Sequence, residues 1–263
     1  MPRGFAYYQP MPYCTVEGAK LYYETHGEGR PLVFVHGSGG NHASWFHQVH
    51  AFAPDFRAIT IDQRGFGNSD DLDGRGRSAM VEDLGRLLDH LEIERAVLVA
   101  QSLGGGTCAG YTVRHPGRVL GLVLCDTLTG IKLPPDVAPR MAEVSKATAG
   151  LSQAVRVLGP KTRERSPEKA ILYTQIASFN TYRFAATPGN FDPVDAAGLA
   201  RSGVPILYIV GSDDILYPPD CIRGVQAHVP NSRLVEIPDV GHSAYYEDPA
   251  SFNRALRAFL ASL

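Results

Sequence analysis

The sequence predicts an α/β fold, a mostly parallel central sheet flanked by helices and interrupted by an inserted helical cap. Three observations predict it. Short apolar runs recur at Pro31–His36, Ala58–Asp62, Ala96–Ala100, Leu120–Cys125, Pro205–Val210 and Leu234–Ile237. They are almost continuously apolar, as strands covered on both faces of a parallel sheet must be. Helical periods alternate with them, which implies right-handed βαβ crossovers. One interval, from about Gly130 to Ala197, carries no such run and is amphipathic and proline-punctuated instead.

Taken in order, Cys14–His26 reads as a hairpin turning at Glu17-Gly18, because no helical period separates its arms. Met80, Leu84, Leu87, Leu88 and Leu91 fall on one helical face. Phe252, Leu256, Phe259 and Leu260 repeat the pattern after Asp248-Pro249, a pair suited to a helix start. The interrupted interval is too long for a structureless loop in a compact domain. Its candidate helices are Val137–Ala149, Leu151–Leu158 and Pro167–Asn180, with loops at Pro188-Gly189 and Asp192-Pro193. The expected organisation is a core of residues 1–130 and 197–263 with a cap of residues 131–196.

At 263 residues, with 44% hydrophobic and 20% charged, the chain has the make-up of a globular α/β protein with a sizeable core. A net charge of −2 and the lack of a basic stripe argue against nucleic-acid or anionic-membrane partners. No run approaches the roughly 18–20 apolar residues that span a bilayer, and the first residues have no continuous apolar core of a signal peptide. Cys14, Cys108, Cys125 and Cys221 lie far apart without metal-ligand spacing, so free thiols in a reducing compartment are expected. The expectation is a cytoplasmic protein acting on a small molecule, with no membrane partner.

The chemistry gathers where the runs end. The run Ala96–Ala100 leads into Ser102, with Ala100 two residues before it and Gly104 two after. A nucleophile on a sharp strand-to-helix turn needs small residues at those positions, because strand and helix crowd together there. Gly211-Ser212-Asp213-Asp214 follows Pro205–Val210, and Val240-Gly241-His242 follows the last run. The chain order is thus serine, acid, histidine, each on a loop at the carboxyl edge of the sheet. A serine hydroxyl needs a base to take its proton, and the base needs a carboxylate to hold its tautomer. Of the nine histidines, His242 alone sits in a Gly-His turn after a late strand. Asp214 is the favoured carboxylate, with Asp126, directly after Leu120–Cys125, and Asp213 as alternatives. In His36–Gly40 the glycines let backbone N–H groups face a common point, so Ser38 and Leu103 are the candidate oxyanion donors. His36 itself reads as a brace for that loop.

Other chemistries fit less well. Gly104-Gly105-Gly106 matches neither a dinucleotide fingerprint nor a P-loop. His42, His47 and His50 do not share one helical face. Neither a cofactor nor a metal is expected.

The strings HGSGG (His36–Gly40), DQRGFGNSD (Asp62–Asp70), AQSLGG (Ala100–Gly105), GSDDILYPP (Gly211–Pro219) and VGHSAYYEDP (Val240–Pro249) resemble the successive landmarks of the α/β-hydrolase fold superfamily. The resemblance spans roughly Tyr13 to Leu263, with the cap unmatched by any motif. It implies Ser102 as nucleophile, His242 as base, and Ser38 and Leu103 as oxyanion donors. It also places the acid three residues after Gly211, at Asp214. Ala100 departs from the family's usual glycine, and the serine in place of an aspartate argues against haloalkane dehalogenase or epoxide hydrolase chemistry.

Specificity lives in the pocket and cap rather than in the reaction machinery. Aromatic residues concentrate in the interval (Tyr173, Phe179, Tyr182, Phe184) and beside the histidine (Tyr245, Tyr246). Gly37, Tyr182, Phe179 and Tyr245 are the candidate substrate contacts. A small, largely apolar carboxylic ester or lactone is the expected substrate. Carbon–carbon bond hydrolysis, a cofactor-free lyase or perhydrolase, and a receptor built on the same scaffold are the alternatives.

Overall fold

The computed structural model describes residues 12–183 and 186–263. Segment 1–11 and the candidate aromatic Phe184 lie outside the described residues. β1 (Tyr13–Val16) and β2 (Ala19–His26) form the antiparallel hairpin, turning at Glu17-Gly18. β3 (Pro31–Val35), α1 (Phe46–Phe52), β4 (Arg57–Ile61), α2 (Met80–His90), β5 (Ala96–Gln101), α3 (Gly104–Arg114) and β6 (Val119–Cys125) follow in strict alternation of strand and helix.

The interval predicted to lack buried strands holds a two-residue strand at each end, β7 (Ile131–Lys132) and β8 (Val194–Asp195), paired parallel. Between them lie α4 (Ala138–Thr148), α5 (Gln153–Val157), α6 (Pro160–Arg165) and α7 (Pro167–Ser178). Three of these fall where the periodicity places them. The fourth, α6, carries the charged run Lys161–Arg165 and has no apolar stripe to reveal it. The chain closes with α8 (Ala196–Arg201), β9 (Ile206–Gly211), α9 (Pro219–Gln226), β10 (Ser232–Ile237), α10 (Ala244–Glu247) and α11 (Pro249–Leu260).

The main sheet has eight strands in the order β1-β2-β4-β3-β5-β6-β9-β10, parallel from β4 to β10 and antiparallel at the hairpin. Alternate strand residues feed two apolar layers. Val33, Val35, Leu98 and Ala100 pack toward Leu84 and Leu87 of α2 and Cys108 of α3, whereas Leu32, Phe34, Val97 and Val99 pack toward Phe52 of α1 and Phe252 and Leu256 of α11. Burial on both faces explains why these runs are apolar throughout. Each fully buried Leu, Val or Phe contributes about 1.5–3 kcal/mol of transfer free energy. The Asp248 side chain caps α11 by accepting the Ser251 N–H at 3.0 Å, with Pro249 at the first helical turn.

The strand order reverses beside β3, because the chain goes outward to β4 and then crosses back to β5. In open α/β sheets the crevice at such a switch point, beyond the carboxyl ends of the strands, is where ligands bind. Here that crevice lies between the loop after β3, His36–Gly40, and the turn at Ser102 after β5. The motif Asp62–Asp70 braces its rim. The Asp62 carboxylate accepts the N–H groups of His42 at 2.6 Å and Asn68 at 2.8 Å and meets His42 Nδ1 at 2.8 Å. The buried Arg64 guanidinium pairs with Asp83 and Asp73, each at 2.8 Å, and with Asp71 at 3.3 Å.

Candidate active site

Ser102 stands between β5 and α3 with φ +48, a backbone region that disfavours side chains other than glycine. The turn holds because the sheet surrounds it: Ser102 N–H donates to Cys125 O at 3.1 Å, and Thr127 Oγ1 donates to Ser102 O at 2.6 Å. α3 then runs against β3 so closely that a Cβ on Gly104 would fall 2.4 Å from Val35 O. That contact explains the small residue two positions after the serine.

His242, on the loop after β10, brings its Nε2 to 2.9 Å from Ser102 Oγ and its Nδ1 to 3.0 Å from Asp214 Oδ2. Asp214, on the loop after β9, has its other oxygen fixed by the N–H groups of Leu216 at 2.8 Å and Tyr217 at 3.0 Å. All three side chains are buried. The alternative carboxylates go elsewhere. Asp213 Oδ1 accepts the Ser212 hydroxyl at 3.2 Å. Asp126 sits beneath the pair, accepting Gly211 N–H at 2.9 Å and Ala244 N–H at 3.0 Å. Burial disfavours the imidazolium of His242, but the charge and hydrogen bond of Asp214, with Asp126 and Glu247 adding to them, hold its pKa above the ordinary histidine value. Burial and the neighbouring Asp214 charge push Asp126 up to about 7. Sequence reasoning did not single out Gln101, whose Nε2 donates to His242 O at 2.8 Å and so anchors the histidine's backbone.

The loop after β3 is held open by His36. Its Nε2 accepts Gln63 N–H at 2.9 Å and its Nδ1 lies 2.7 Å from Gly37 O, partners that select the neutral tautomer with the proton on Nδ1. Burial lowers its pKa, which favours the same neutral form. Among the described residues the N–H groups of Ser38 and Leu103 make no hydrogen bond to a protein acceptor.

Ser102 and His242 lie in the wall of a cavity of about 630 Å³, within the range of small-molecule sites. Ser38 and Gln101 line it from the core, Met141 from α4, Arg156 from α5 and Tyr173 from α7, with Tyr182 beyond that helix. Tyr182 therefore faces the cavity, whereas the other three candidate substrate contacts do not. Phe179 is 73% exposed at the end of α7, turned to solvent. Tyr245 is fully buried below the site, with its ring 4.3 Å from that of Trp45, because the turn into α10 directs it into the core. Gly37 makes room: a Cβ there would fall 1.9 Å from Gln101 Oε1. Tyr217, which sequence reasoning passed over, lines the cavity with its ring 5.7 Å from that of His242.

A mostly parallel sheet presenting serine, carboxylate and histidine from three loops at one edge defines a class of α/β enzymes. The family model for the alpha/beta hydrolase fold matches residues 30–154. A non-heme chloroperoxidase, CPO-A1, of Kitasatospora aureofaciens is 30% identical over 95% of this chain and 99% of its own. A thermophilic esterase from Thermogutta terrifontis is 28% identical and superposes with a TM-score of 0.79 over 93% of this chain and 94% of its own. Est816, described as an N-acyl homoserine lactone degrading enzyme, is 28% identical with a TM-score of 0.78 over 94% and 100% of the two chains. The chain belongs to the α/β-hydrolase fold family and is an enzyme of that family. Among the described residues no helix is long and apolar enough to cross a membrane.

Proposed function

We propose that the protein is a serine hydrolase that cleaves a small carboxylic ester or lactone through an acyl-enzyme intermediate, with segment 131–196 acting as a cap over a core of residues 1–130 and 197–263. The observation that carries this reading is the hydrogen-bonded line from Asp214 through His242 to Ser102 in the wall of the cavity. His242 Nε2 takes the proton as Ser102 Oγ attacks the carbonyl carbon, and Asp214 stabilises the imidazolium. The oxyanion that forms is held by the N–H groups of Ser38 and Leu103, whose freedom from protein acceptors supports that role. Collapse of this intermediate breaks the acyl–oxygen bond, and His242 returns the proton to the departing alkoxide. Water, deprotonated by His242, then attacks the acyl carbon, releases the carboxylic acid and restores the Ser102 hydroxyl. For a lactone the alcohol and acid are released as one hydroxy acid.

Intact-mass measurement during turnover of short-chain 4-nitrophenyl esters and of lactones tests the reading. The expected result is an acyl mass increment on the wild-type chain that Ser102→Ala abolishes together with turnover. Turnover that survives in Ser102→Ala, or no turnover and no adduct on any of these substrates, overturns it.

Kinship with a non-heme chloroperoxidase favours one further use of the same intermediate. Hydrogen peroxide in place of water would release a peracid from the acyl-enzyme. Peracid formation that depends on Ser102, measured with peroxide added to the ester assay, tests it; hydrolysis without any peracid overturns it.

A further inference from the structure

The cavity wall carries arginine side chains that make no ion pair among the described residues. Elsewhere Arg64, Arg114, Arg118, Arg140, Arg223 and Arg257 each reach a carboxylate. Arg156, on α5, lines the cavity, makes no ion pair among the described residues, and has its Nε buried without a hydrogen-bond partner. A guanidinium is costly to withdraw from water unless something meets it. Among the described residues nothing meets the Arg156 Nε. Arg183 also lines the cavity, toward its exposed rim, while among the described residues no aspartate or glutamate lines it. Two guanidinium groups facing no carboxylate leave a cavity whose field favours an anion.

The placement links this charge to the reacting groups. Arg156 is near enough to Tyr217 for its charge to act on that hydroxyl, and the Tyr217 ring stands 5.7 Å from the His242 ring. The Tyr217 hydroxyl is itself held by Thr129 Oγ1 at 2.8 Å, so it does not swing to cover the guanidinium. Met141, Val157 and Leu216 supply apolar wall around these groups. A short carbon chain ending in a carboxylate matches this combination. The apolar part would lie on the wall, and the carboxylate would take the paired N–H geometry that a guanidinium offers.

Building on the serine-hydrolase reading, we propose that Arg156 is a specificity-determining residue that binds a carboxylate of the substrate, so that the enzyme acts on esters or lactones bearing a free carboxylate. This differs from the sequence expectation of a largely apolar ligand. Periodicity does not expose it, since an arginine on a short amphipathic helix reads as a solvated surface group.

The test compares 4-nitrophenyl hydrogen succinate with 4-nitrophenyl butyrate. The two share leaving group, scissile bond and chain length, and differ in a terminal carboxylate against a methyl. Rates are corrected for spontaneous hydrolysis with Ser102→Ala. The quantity read is the ratio of kcat/KM for succinate to that for butyrate. In Arg156→Gln this ratio is expected to fall by about tenfold or more, chiefly through KM, and Arg156→Lys is expected to recover part of it. A ratio within about twofold of wild type in both variants overturns the proposal while leaving the hydrolase reading intact. Should neither ester be turned over, calorimetry with monomethyl succinate decides the cation site alone. Binding by wild type that weakens about tenfold in Arg156→Gln supports it, and no binding or an unchanged Kd overturns it.

Discussion

Asp126 and Ala244 lie 118 positions apart, yet the Asp126 carboxylate accepts the Ala244 N–H at 3.0 Å. Its second oxygen accepts the N–H of Gly211 at 2.9 Å. One carboxylate therefore ties the loop that starts toward Asp214 to the loop that has just delivered His242, and it does so from a strained φ of +49. Asp126→Ala leaves two buried N–H groups unpaired, at roughly 1–3 kcal/mol each. A loss of about 2–6 kcal/mol in denaturant unfolding is expected, with a smaller loss in Asp126→Asn, which keeps one carbonyl acceptor. Because the folded-state pKa of Asp126 is raised, to about 7, the protein binds this proton more tightly folded than unfolded. Its contribution is fully present below the ordinary aspartate pKa and fades as pH rises toward 7. Asp126→Asn should flatten that part of the stability–pH curve, and an unaltered slope would show that the group does not titrate there.

Ser102 stores backbone strain at the centre of the site. A residue other than glycine in this region costs about 1–3 kcal/mol, and glycine gives back about 0.5–1 kcal/mol of that through its freer unfolded chain. Ser102→Gly is thus expected to be inactive and more stable by about 1 kcal/mol, which raises Tm by a few degrees for a chain of this size. Ser102→Ala keeps the Cβ and the strain, so it should lose activity without the gain in Tm. Equal Tm values for the two variants would count against stored strain at this turn.

β3, β5, β6 and β9 were legible because each is apolar on both faces, and the observed strand bounds differ from those read in the sequence by a residue or two. The crossovers followed from helical stripes such as Met80–Leu91. β7 and β8 escaped notice because two residues carry no periodicity, and α6 because its run from Lys161 to Arg165 is polar throughout. Ser102, Asp214 and His242 could be picked out because each follows a strand at the same edge, where topology rather than sequence distance decides what meets. The pocket was harder to read. Nearness to His242 in the chain says nothing about which way Tyr245 turns, and an aromatic at a helix end such as Phe179 packs or protrudes according to tertiary context. Arg156 and Tyr217 became visible only when the walls of the cavity were assembled.

Gly104 shows why the turn tolerates so little. Replacing glycine with alanine in a helix normally gains about 1 kcal/mol. At Gly104 the added Cβ would lie 2.4 Å from Val35 O and 3.0 Å from His36 O, both backbone atoms of β3 and its loop. Overpacking costs about 1–3 kcal/mol or more when the neighbours cannot move, so the clash outweighs the helical gain. Gly104→Ala is expected to lower both stability and kcat, since moving α3 also moves the Leu103 N–H. Gly150→Ala is the control, because nothing lies within 4 Å of its added Cβ. Equal stability of the two variants would refute the packing argument.

On the proposed mechanism, the pH dependence of kcat/KM reports on His242 as the base. The imidazole must be neutral to accept the Ser102 proton, so the rate rises with pH as His242⁺ deprotonates. Burial alone would move that midpoint below the ordinary histidine value, and the charge and hydrogen bond of Asp214 move it the other way and prevail. A midpoint above about 6.5 is therefore expected for wild type. Asp214→Asn removes the opposing charge while leaving the burial in place, so the midpoint should drop below that of wild type. The amide can also present its NH₂ to Nδ1, which favours the tautomer with the proton on Nε2, facing the serine. kcat/KM is expected to fall by about 10³–10⁴-fold for that reason. A midpoint that stays in place on loss of the carboxylate would mean that another group governs the titration, with Asp126 the nearest candidate.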